Sequence, residues 1–283
     1  MSNNCSLINE FDMVEKTMSD HSSQTYKTIH RQTKKIFSIK IYPQKIFQSY
    51  ESEIDYTREK AILFNISKKN NQNIPKLFSV LEDTSYRYLL FEYIPGRNLK
   101  DYIESQNQPL NEKLIIHILK EMLKILYFLH NDCFIMHRNV KPSNIIMDEN
   151  NNNNNIKLIG FHLSAYLKNS NHVLVSGKSP KGAKDYVAPE ILFGNPDTLD
   201  YDYKCDIFSL GYTIYYLMNK ELPTQTKFVN SKVVRIDNTL KNSNYSPWLI
   251  KLVGTLYDTD PKKRPTALES LKILENNLNN QNC

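Results

Sequence analysis

The sequence HRNVKPSN, at residues 137–144, is the stretch that decides the fold of this 283-residue chain. It follows a segment whose apolar residues recur at three- and four-residue spacing, which predicts a long amphipathic helix: Leu114, Ile115, Ile118, Leu119, Met122, Leu126 and Leu129. Strand-like segments come next, at 144–147 and 156–159, and the run Asn150–Asn155 between them predicts a surface hairpin loop. The polar stretch therefore lies between a helix and a predicted hairpin.

The rest of the chain separates into a strand-rich first third and a mainly helical remainder. Segments 37–42 (FSIKIY) and 88–94 (YLLFEYI) combine β-branched and aromatic residues, as strands do. The segment 56–66 between them predicts one helix. After Pro95 the pattern becomes helical, and residues 207–218 are apolar on every face, which predicts a helix at the centre of a globular unit. The predicted fold class is α+β.

Further short motifs follow one another in a fixed order. Residues 156–164 read IKLIGFHLS, residues 186–190 read YVAPE, and residues 260–265 read DPKKRP. With the stretch 137–144, they resemble in order and spacing the motifs of eukaryotic protein kinases, whose catalytic loop reads H-R-D-L-x-x-x-N. Lys141 lies two residues after Asn139 and is similar to the lysine that serine/threonine kinases have two residues after the catalytic aspartate.

This resemblance covers about residues 13–275 and implies a two-lobed protein-kinase fold. The expected organisation is an N-terminal tail at 1–12, a small β-rich N-lobe with one main helix at 13–94, a larger mainly α-helical C-lobe at 95–275, and a C-terminal tail at 276–283.

Two acidic positions of the family are changed here. Asn139 stands where the family has the aspartate that accepts the substrate proton, and an amide has no basic lone pair near neutral pH. Gly160 stands where the family has the aspartate that holds Mg²⁺, and glycine offers no ligand. His162 stands where the family's Asp-Phe-Gly turn has its glycine. A positive φ there would be costly for a bulky side chain, so a single preferred turn conformation is expected. The resemblance therefore implies that no catalytic group is intact.

The phosphate-binding loop is changed as well. Ser19, His21 and Gln24 align with the three glycines of G-x-G-x-x-G, whose missing side chains let backbone N–H groups approach phosphates. The first glycine of the whole chain is Gly96, so no other alignment supplies them.

Several positions that bind nucleotide in the family remain in the sequence. The resemblance assigns residual nucleotide-binding roles to Lys40, Glu59, Glu92, Ile94 and Asn144. Of these, Glu92 and Ile94 belong to the hinge segment that follows Phe91. Asn144 is the remaining metal ligand, but a lone neutral amide holds Mg²⁺ poorly, so no metal site is predicted. Lys40 and Glu59 also have a second interpretation, a structural ion pair that fixes the helix.

Other family positions are expected to have structural roles: His137, Arg138, Glu190, Asp206 and Arg264. The resemblance implies an ion pair between Glu190 and Arg264. The segment 170–183, with Ser176, Lys178 and Ser179, is interpreted either as a phosphorylation-controlled activation loop or as a solvated loop.

Composition limits the classes of partner. The formal charge of +6, from 36 basic and 30 acidic residues, is modest and scattered, which gives no indication of nucleic-acid binding. The four cysteines form no C-x-x-C pair, which indicates a reducing compartment. Residues 1–20 lack the apolar stretch of a secretory signal, and the most apolar segments are too short or too charged to cross a bilayer. A soluble, cytoplasmic protein without membrane partners is predicted.

The resulting hypothesis is a pseudokinase that binds other proteins, such as an active kinase or its substrate, as a scaffold or allosteric regulator. No cofactor is required; weak ATP binding is expected, and Mg²⁺ binding is not. The alternative is a weak or unconventional ATP-dependent serine/threonine kinase that uses Lys40 and Asn144.

Overall fold

The computed structural model describes residues 7–20, 22–148, 154–167, 177, 181–183, 185–195, 197–223, 225–229, 232–236 and 244–281. The chain divides into two compact units, Met1–Pro95 and Gly96–Cys283. The first unit is β-rich and the second is mainly helical, which agrees with the predicted α+β class.

The first unit is a five-stranded antiparallel sheet with one long helix, α1. Its strand order is β1-β2-β3-β5-β4. The strands are β1 Phe11–Ser19, β2 Gln24–His30, β3 Ile36–Pro43, β4 Leu77–Glu82 and β5 Tyr86–Glu92, and α1 spans Tyr50–Ser67. Both predicted strands are confirmed, although β5 ends two residues before the predicted Ile94, because its pairing with β3 ends where Phe37 lies opposite Glu92.

Helix α1 begins earlier than the apolar spacing predicted. The side chain of Ser49 caps it by accepting a hydrogen bond from the Ser52 N–H at 3.3 Å, and Glu51 and Glu53 lie in its first turn. The buried face of α1 carries a charged residue, Glu59, among apolar ones. The burial of Glu59 matters because it places a carboxylate within reach of the sheet.

Alternation along β3 separates the core of the sheet from its polar pair. Ile39 is fully buried and packs in a cluster with Phe11, Tyr88 and Leu90. The next side chain, Lys40, points to the opposite face, because successive side chains alternate in a strand. The register pairs Lys40 with Leu89 of β5. This pairing fixes the position of the lysine on the sheet.

The second unit is built around two buried helices, α3 and α5. Its helices are α2 Leu99–Ser105, α3 Glu112–Tyr127, α4 Pro189–Leu192, α5 Lys204–Asn219, α6 Pro247–Leu256 and α7 Ala267–Gln281. Its strands are β6 Arg97–Asn98, β7 Ile135–Met136, β8 Ile145–Asp148, β9 Asn155–Leu158, β10 Ala165–Tyr166, β11 Gln225–Val229 and β12 Lys232–Ile236. They pair as β6-β8-β9, β10-β7 and β11-β12.

The two apolar sequence patterns are confirmed as these helices. Asn111 caps α3 by accepting from the Leu114 N–H at 3.0 Å, and the helix continues into one π-helical turn at Phe128–Asp132. Helix α5 is buried along nearly its whole length. At Gly211 of α5, an added Cβ would lie 2.9–3.0 Å from Leu256 and Tyr257, so only glycine allows this close contact with α6.

The ends of the elements differ from several predicted boundaries. Strands β8 and β9 form the predicted antiparallel pair, while most of the run Asn150–Asn155 lies outside the described residues. Strand β1 begins inside the predicted N-terminal tail, and α7 extends past the predicted domain end at 275, because the helical pattern persists there. Within the described part of the chain, every helix is too short or too polar to cross a membrane.

Candidate functional site

The stretch 137–144 forms the turn between β7 and β8, and Asp206 of α5 holds it in place. The buried Asp206 carboxylate accepts hydrogen bonds from the backbone N–H of His137 at 2.8 Å and of Arg138 at 2.6 Å, and it lies 2.9 Å from His130 Nε2. Burial alone would raise the pKa of Asp206, but its contacts with His130 and His137 lower it below the ordinary value. Asp206 is therefore a charged anchor for the loop.

Arg138 adopts a backbone conformation that this anchor must support. Its φ of 62° lies in the left-handed region, which is strained for a side chain of this size. Its Nε donates to the Leu163 carbonyl at 2.6 Å and its Nη1 donates to the Tyr201 hydroxyl at 2.8 Å. The carbonyl of Tyr201 in turn accepts from the Gly177 N–H at 2.7 Å. Arg138 thus ties the loop to two later segments.

His137 is fully buried as a neutral ring. Its Nδ1 accepts from the Asn139 N–H at 3.3 Å and its Nε2 donates to the Ile159 carbonyl at 3.1 Å, which fixes the tautomer. The ring packs edge-on against Phe161. Burial lowers the pKa of His137 from 6.5 to about 4, since Asp206 raises it by less than burial lowers it. A proton at Nδ1 would also displace the Asn139 N–H.

We expect the second unit to lose stability as the pH falls from about 6.5 to about 4. The pKa of His137 is lower in the folded chain, so the unfolded chain binds the proton first, and the free energy of unfolding falls by about 3 kcal/mol over that interval. Denaturation followed by fluorescence of Trp248, the only tryptophan, measures this. His137→Phe should flatten the pH dependence, whereas His117→Gln, at a half-buried histidine of α3, should not. An equal slope in wild type and His137→Phe would contradict the assignment.

Asn139, Asn144 and Gly160 form a network of neutral groups. Asn144 Nδ2 donates to the Asn139 carbonyl at 2.8 Å, and Asn139 Nδ2 donates to the Gly160 carbonyl at 3.1 Å. Both asparagines are buried. Gly160 has a φ of 87°, and a Cβ built there would lie 2.8 Å from the Asn144 side chain. The glycine is therefore required both by its backbone angle and by its close contact with Asn144.

These residues do not fit a magnesium ion. Mg²⁺ prefers one or two carboxylates together with phosphate oxygens and water, and the network offers neutral amides whose N–H₂ groups point at backbone carbonyls. Within the described residues, no group of three or more His, Cys, Asp or Glu side chains could hold a metal ion. The network can hold the loop in shape, but it supplies neither a base nor a carboxylate ligand.

The turn at 160–162 has its positive φ at the first position and not at the third. The left-handed residue is Gly160, whereas His162 lies inside a short 3₁₀ turn, Phe161–Leu163, with ordinary helical backbone. The cost of a positive φ therefore does not arise at His162, because the left-handed residue lies two positions earlier, at a glycine with no side chain to obstruct it.

In the first unit, Lys40 and Glu59 form a buried ion pair. Lys40 Nζ lies 2.8 Å from Glu59 Oε1, and the Tyr42 hydroxyl donates to Glu59 Oε2 at 2.5 Å. Burial, and then the charge of Glu59, raise the pKa of Tyr42 well above its ordinary value. The pair connects β3 to α1, so its geometry is compatible with both the structural and the nucleotide-binding interpretation.

Glu190 and Arg264 form the ion pair that the family resemblance implied. Arg264 donates from Nη1 and Nη2 to the two Glu190 oxygens at 2.6 and 2.7 Å, and from Nε to the Asp258 carbonyl at 2.6 Å. The Arg264 guanidinium also lies 4.9 Å from the centre of the Phe208 ring. This bidentate pair joins α4 to the segment that precedes α7.

Three further candidates lie at the end of β5 and just after it. Phe91 and Glu92 are the last two residues of β5. The Glu92 N–H donates to the Lys76 carbonyl at 2.9 Å, and the Lys76 N–H donates to Glu92 Oε2 at 3.3 Å. Ile94 follows the strand. Most of the segment 170–183, including Ser176, Lys178 and Ser179, lies outside the described residues.

Three contributors were not predicted: Asp20 beside Lys40, Tyr201 beside Arg138, and His130 beside Asp206. Each lies at least 20 residues from its partner, and no local pattern marks Tyr201 or His130. A short polar turn, DHSS at 20–23, was the one available signal for Asp20.

Comparison with known proteins gives a family match over most of the chain. The family described as "Protein kinase domain" matches residues 19–274. The serine/threonine-protein kinase pakG of Dictyostelium discoideum is 31% identical over 253 residues, which are 87% of this chain and 20% of pakG. The serine/threonine-protein kinase dst2 of the same organism is 28% identical over 270 residues, which are 93% of this chain and 22% of dst2.

The chain spans under half the length of the first curated relatives it matches. A relative from Acanthamoeba polyphaga mimivirus differs, because its 34% identity over 246 residues covers 82% of this chain and 81% of the viral protein. The similarity therefore concerns one domain that occurs both within longer proteins and nearly alone.

Proposed function

The chain belongs to the protein kinase domain family, and from this premise we propose that it is a pseudokinase. In this role it binds other proteins, such as an active kinase or its substrate, as a scaffold or allosteric regulator in the cytoplasm. It transfers no phosphate at a significant rate. Its similarity to serine/threonine kinases supports the choice of family branch, and four cysteines without a C-x-x-C pair support a reducing compartment.

The observation that carries the proposal is the neutral network of Asn139, Asn144 and Gly160. Phosphoryl transfer depends on a metal that neutralises developing charge and on a base that takes the hydroxyl proton. The network provides amide N–H groups and a bare backbone at these positions. Supplying a carboxylate at position 160 would require a side chain at a φ of 87° and displacement of Asn144.

The structural framework around the network supports a binding role. Asp206, Arg138 and the Glu190–Arg264 pair fix the loop and the later segments through buried, charged hydrogen bonds. None of these contacts requires a nucleotide or a metal. A rigid surface is useful for protein recognition because little conformational entropy is lost on binding.

One observation favours the alternative, a weak or unconventional serine/threonine kinase. The Lys40–Glu59 pair is intact at 2.8 Å, as an anchor for phosphates would be, and Asn144 remains in place. We favour the pseudokinase because Lys40 alone supplies neither the base nor the metal ligand that transfer requires.

ATP is expected to raise the melting temperature of the purified chain only slightly, by less than about 2 °C at millimolar concentration, and Mg²⁺ should not change this shift. Mg²⁺ should have no effect because no carboxylate couples metal to nucleotide in the network described above. Thermal-shift titration of ATP with and without Mg²⁺ measures both effects, and Lys40→Ala serves as the control for binding at the lysine. A large shift that appears only with Mg²⁺ would favour the enzyme.

A further inference from the structure

The turn between β1 and β2 is closed by the carboxylate of Asp20. Asp20 Oδ1 accepts from the Ser22 N–H at 2.9 Å, the Ser23 N–H at 2.6 Å and the Ser22 hydroxyl at 3.1 Å, and Oδ2 accepts from the Ser23 hydroxyl at 2.8 Å. Successive backbone N–H groups of this kind form the concave sites that bind anions in proteins. In this turn, the protein's own carboxylate already takes the two N–H groups.

The same carboxylate lies beside Lys40. Asp20 Oδ2 is 4.0 Å from Lys40 Nζ, which is also 2.8 Å from Glu59 Oε1 and 4.9 Å from the centre of the Tyr42 ring. The side chains of Lys40 and Glu59 are 10% and 4% exposed, and that of Asp20 is 24% exposed. Lys40 therefore faces two carboxylates, and these three side chains together carry a formal charge of about −1 in a weakly hydrated environment.

The neighbouring tyrosine responds to the same negative field. After burial, the charges of Glu59 and Asp20 both raise the pKa of the Tyr42 hydroxyl. A phosphate group brought to Lys40 would meet this field rather than a free cation. The negative charge of Glu59 and Asp20 therefore opposes binding of a phosphate at Lys40, the residual anchor inferred from the sequence.

We propose that Asp20 is the specificity-determining residue at Lys40: its carboxylate takes the place of an anionic ligand there and excludes polyphosphates. The inference rests on the proposed function, in which Lys40 has kept its structural pairing with Glu59 without serving phosphate transfer. It adds a named group that keeps nucleotides away, separate from the missing catalytic groups of the second unit.

A second turn of the same sheet, closed by Asp83, has backbone hydrogen bonds of the same kind. Asp83 makes the equivalent turn between β4 and β5, where its Oδ1 accepts from the N–H groups of Ser85 and Tyr86, both at 2.8 Å, and its Oδ2 accepts from the Tyr88 hydroxyl at 2.6 Å. Such a turn needs one acceptor oxygen, which asparagine also provides. Replacing Asp20 by asparagine should keep the turn and remove only the charge beside Lys40.

The test is titration of inorganic triphosphate into the full chain by calorimetry, without metal and with a chelator present. We expect Asp20→Asn to bind triphosphate about tenfold more tightly than wild type or better, because one repulsive charge has been removed close to the anion. Asp20→Asn combined with Lys40→Met should lose this gain. Asp20→Glu, which keeps the charge, and Asp83→Asn, which makes the same change of net charge in the matched turn, should both bind like wild type.

Unchanged binding in a folded Asp20→Asn chain would overturn the inference, and so would an equal gain in Asp83→Asn. If circular dichroism shows that Asp20→Asn does not fold, Asp20→Ser takes its place, because serine also closes such turns. The two proposals fail separately. Phosphate transfer by the wild-type chain contradicts the pseudokinase, whereas unchanged triphosphate affinity in the Asp20 variants contradicts the role of Asp20.

Discussion

The purified chain is expected to transfer no phosphate from ATP, with Mg²⁺ or Mn²⁺, to itself or to generic serine/threonine substrates. Loss of the general base at Asn139 alone removes about 10²–10⁴-fold in rate. The glycine at position 160 then removes the carboxylate through which metal would stabilise charge in transfer. Incorporation of radiolabelled phosphate, measured over hours, is the appropriate assay. Robust incorporation that Lys40→Ala abolishes would contradict the pseudokinase.

Single restoring substitutions are expected to fail for reasons that the structure makes specific. Asn139→Asp returns a base but no metal ligand. Gly160→Asp places a side chain at a φ of 87° with its Cβ 2.8 Å from Asn144, so the second unit should lose about 1–3 kcal/mol of stability. Gly254→Ala, in α6 where an added Cβ has no neighbour within 4 Å, is the matched control and should be neutral or stabilising. A Gly160→Asp chain as stable as wild type would show that Asn144 can move away from position 160 without a loss of stability.

The buried Glu190–Arg264 pair is expected to contribute strongly to the stability of the second unit. Glu190→Ala should lower the free energy of unfolding of the second unit by about 3–5 kcal/mol, because it leaves a buried guanidinium without its carboxylate. The Arg264 side chain is 0% exposed and Glu190 is 16% exposed, so water cannot replace the lost partner at the arginine. Urea denaturation followed by Trp248 fluorescence, which reports on α6, gives the value.

A surface pair in the same unit provides the control. Glu121 and Lys124 of α3 lie 2.6 Å apart, but Lys124 is 50% exposed and Glu121 is 21% exposed. Glu121→Ala should therefore change stability by no more than about 1 kcal/mol. Similar losses in Glu190→Ala and Glu121→Ala would mean that burial does not set the strength of the Glu190–Arg264 pair.

Much of the fold could be predicted because its signals are local. The spacing of apolar residues in α3 and the unbroken apolar run of α5 follow from the period of a helix, and the strand at 37–42 follows from its β-branched residues. Helix ends were harder to predict. The start of α1 depends on a capping hydrogen bond that the Ser49 side chain accepts from the Ser52 N–H, which apolar spacing does not report.

The candidate site was predicted only in part, for a similar reason. Motif order identified Asn139 and Gly160 as changed positions, since a substitution is visible in the sequence itself. The sequence did not place the left-handed turn at Gly160 instead of His162, because φ depends on how the loop closes against Asn144. It also did not show that Arg138 would bond to the Tyr201 hydroxyl.

By itself, the sequence determined the kinase family, the order of its elements and the loss of two acidic groups, because motifs and periodicity are written in neighbouring residues. Only the tertiary structure decided what surrounds the residues that remain. Asp20 reaches Lys40 across the sheet, and Glu59 reaches it from α1, so the charge at this lysine is set by contacts between distant segments. Electrostatic energy depends on distance and burial in space, and neither can be read from position along the chain.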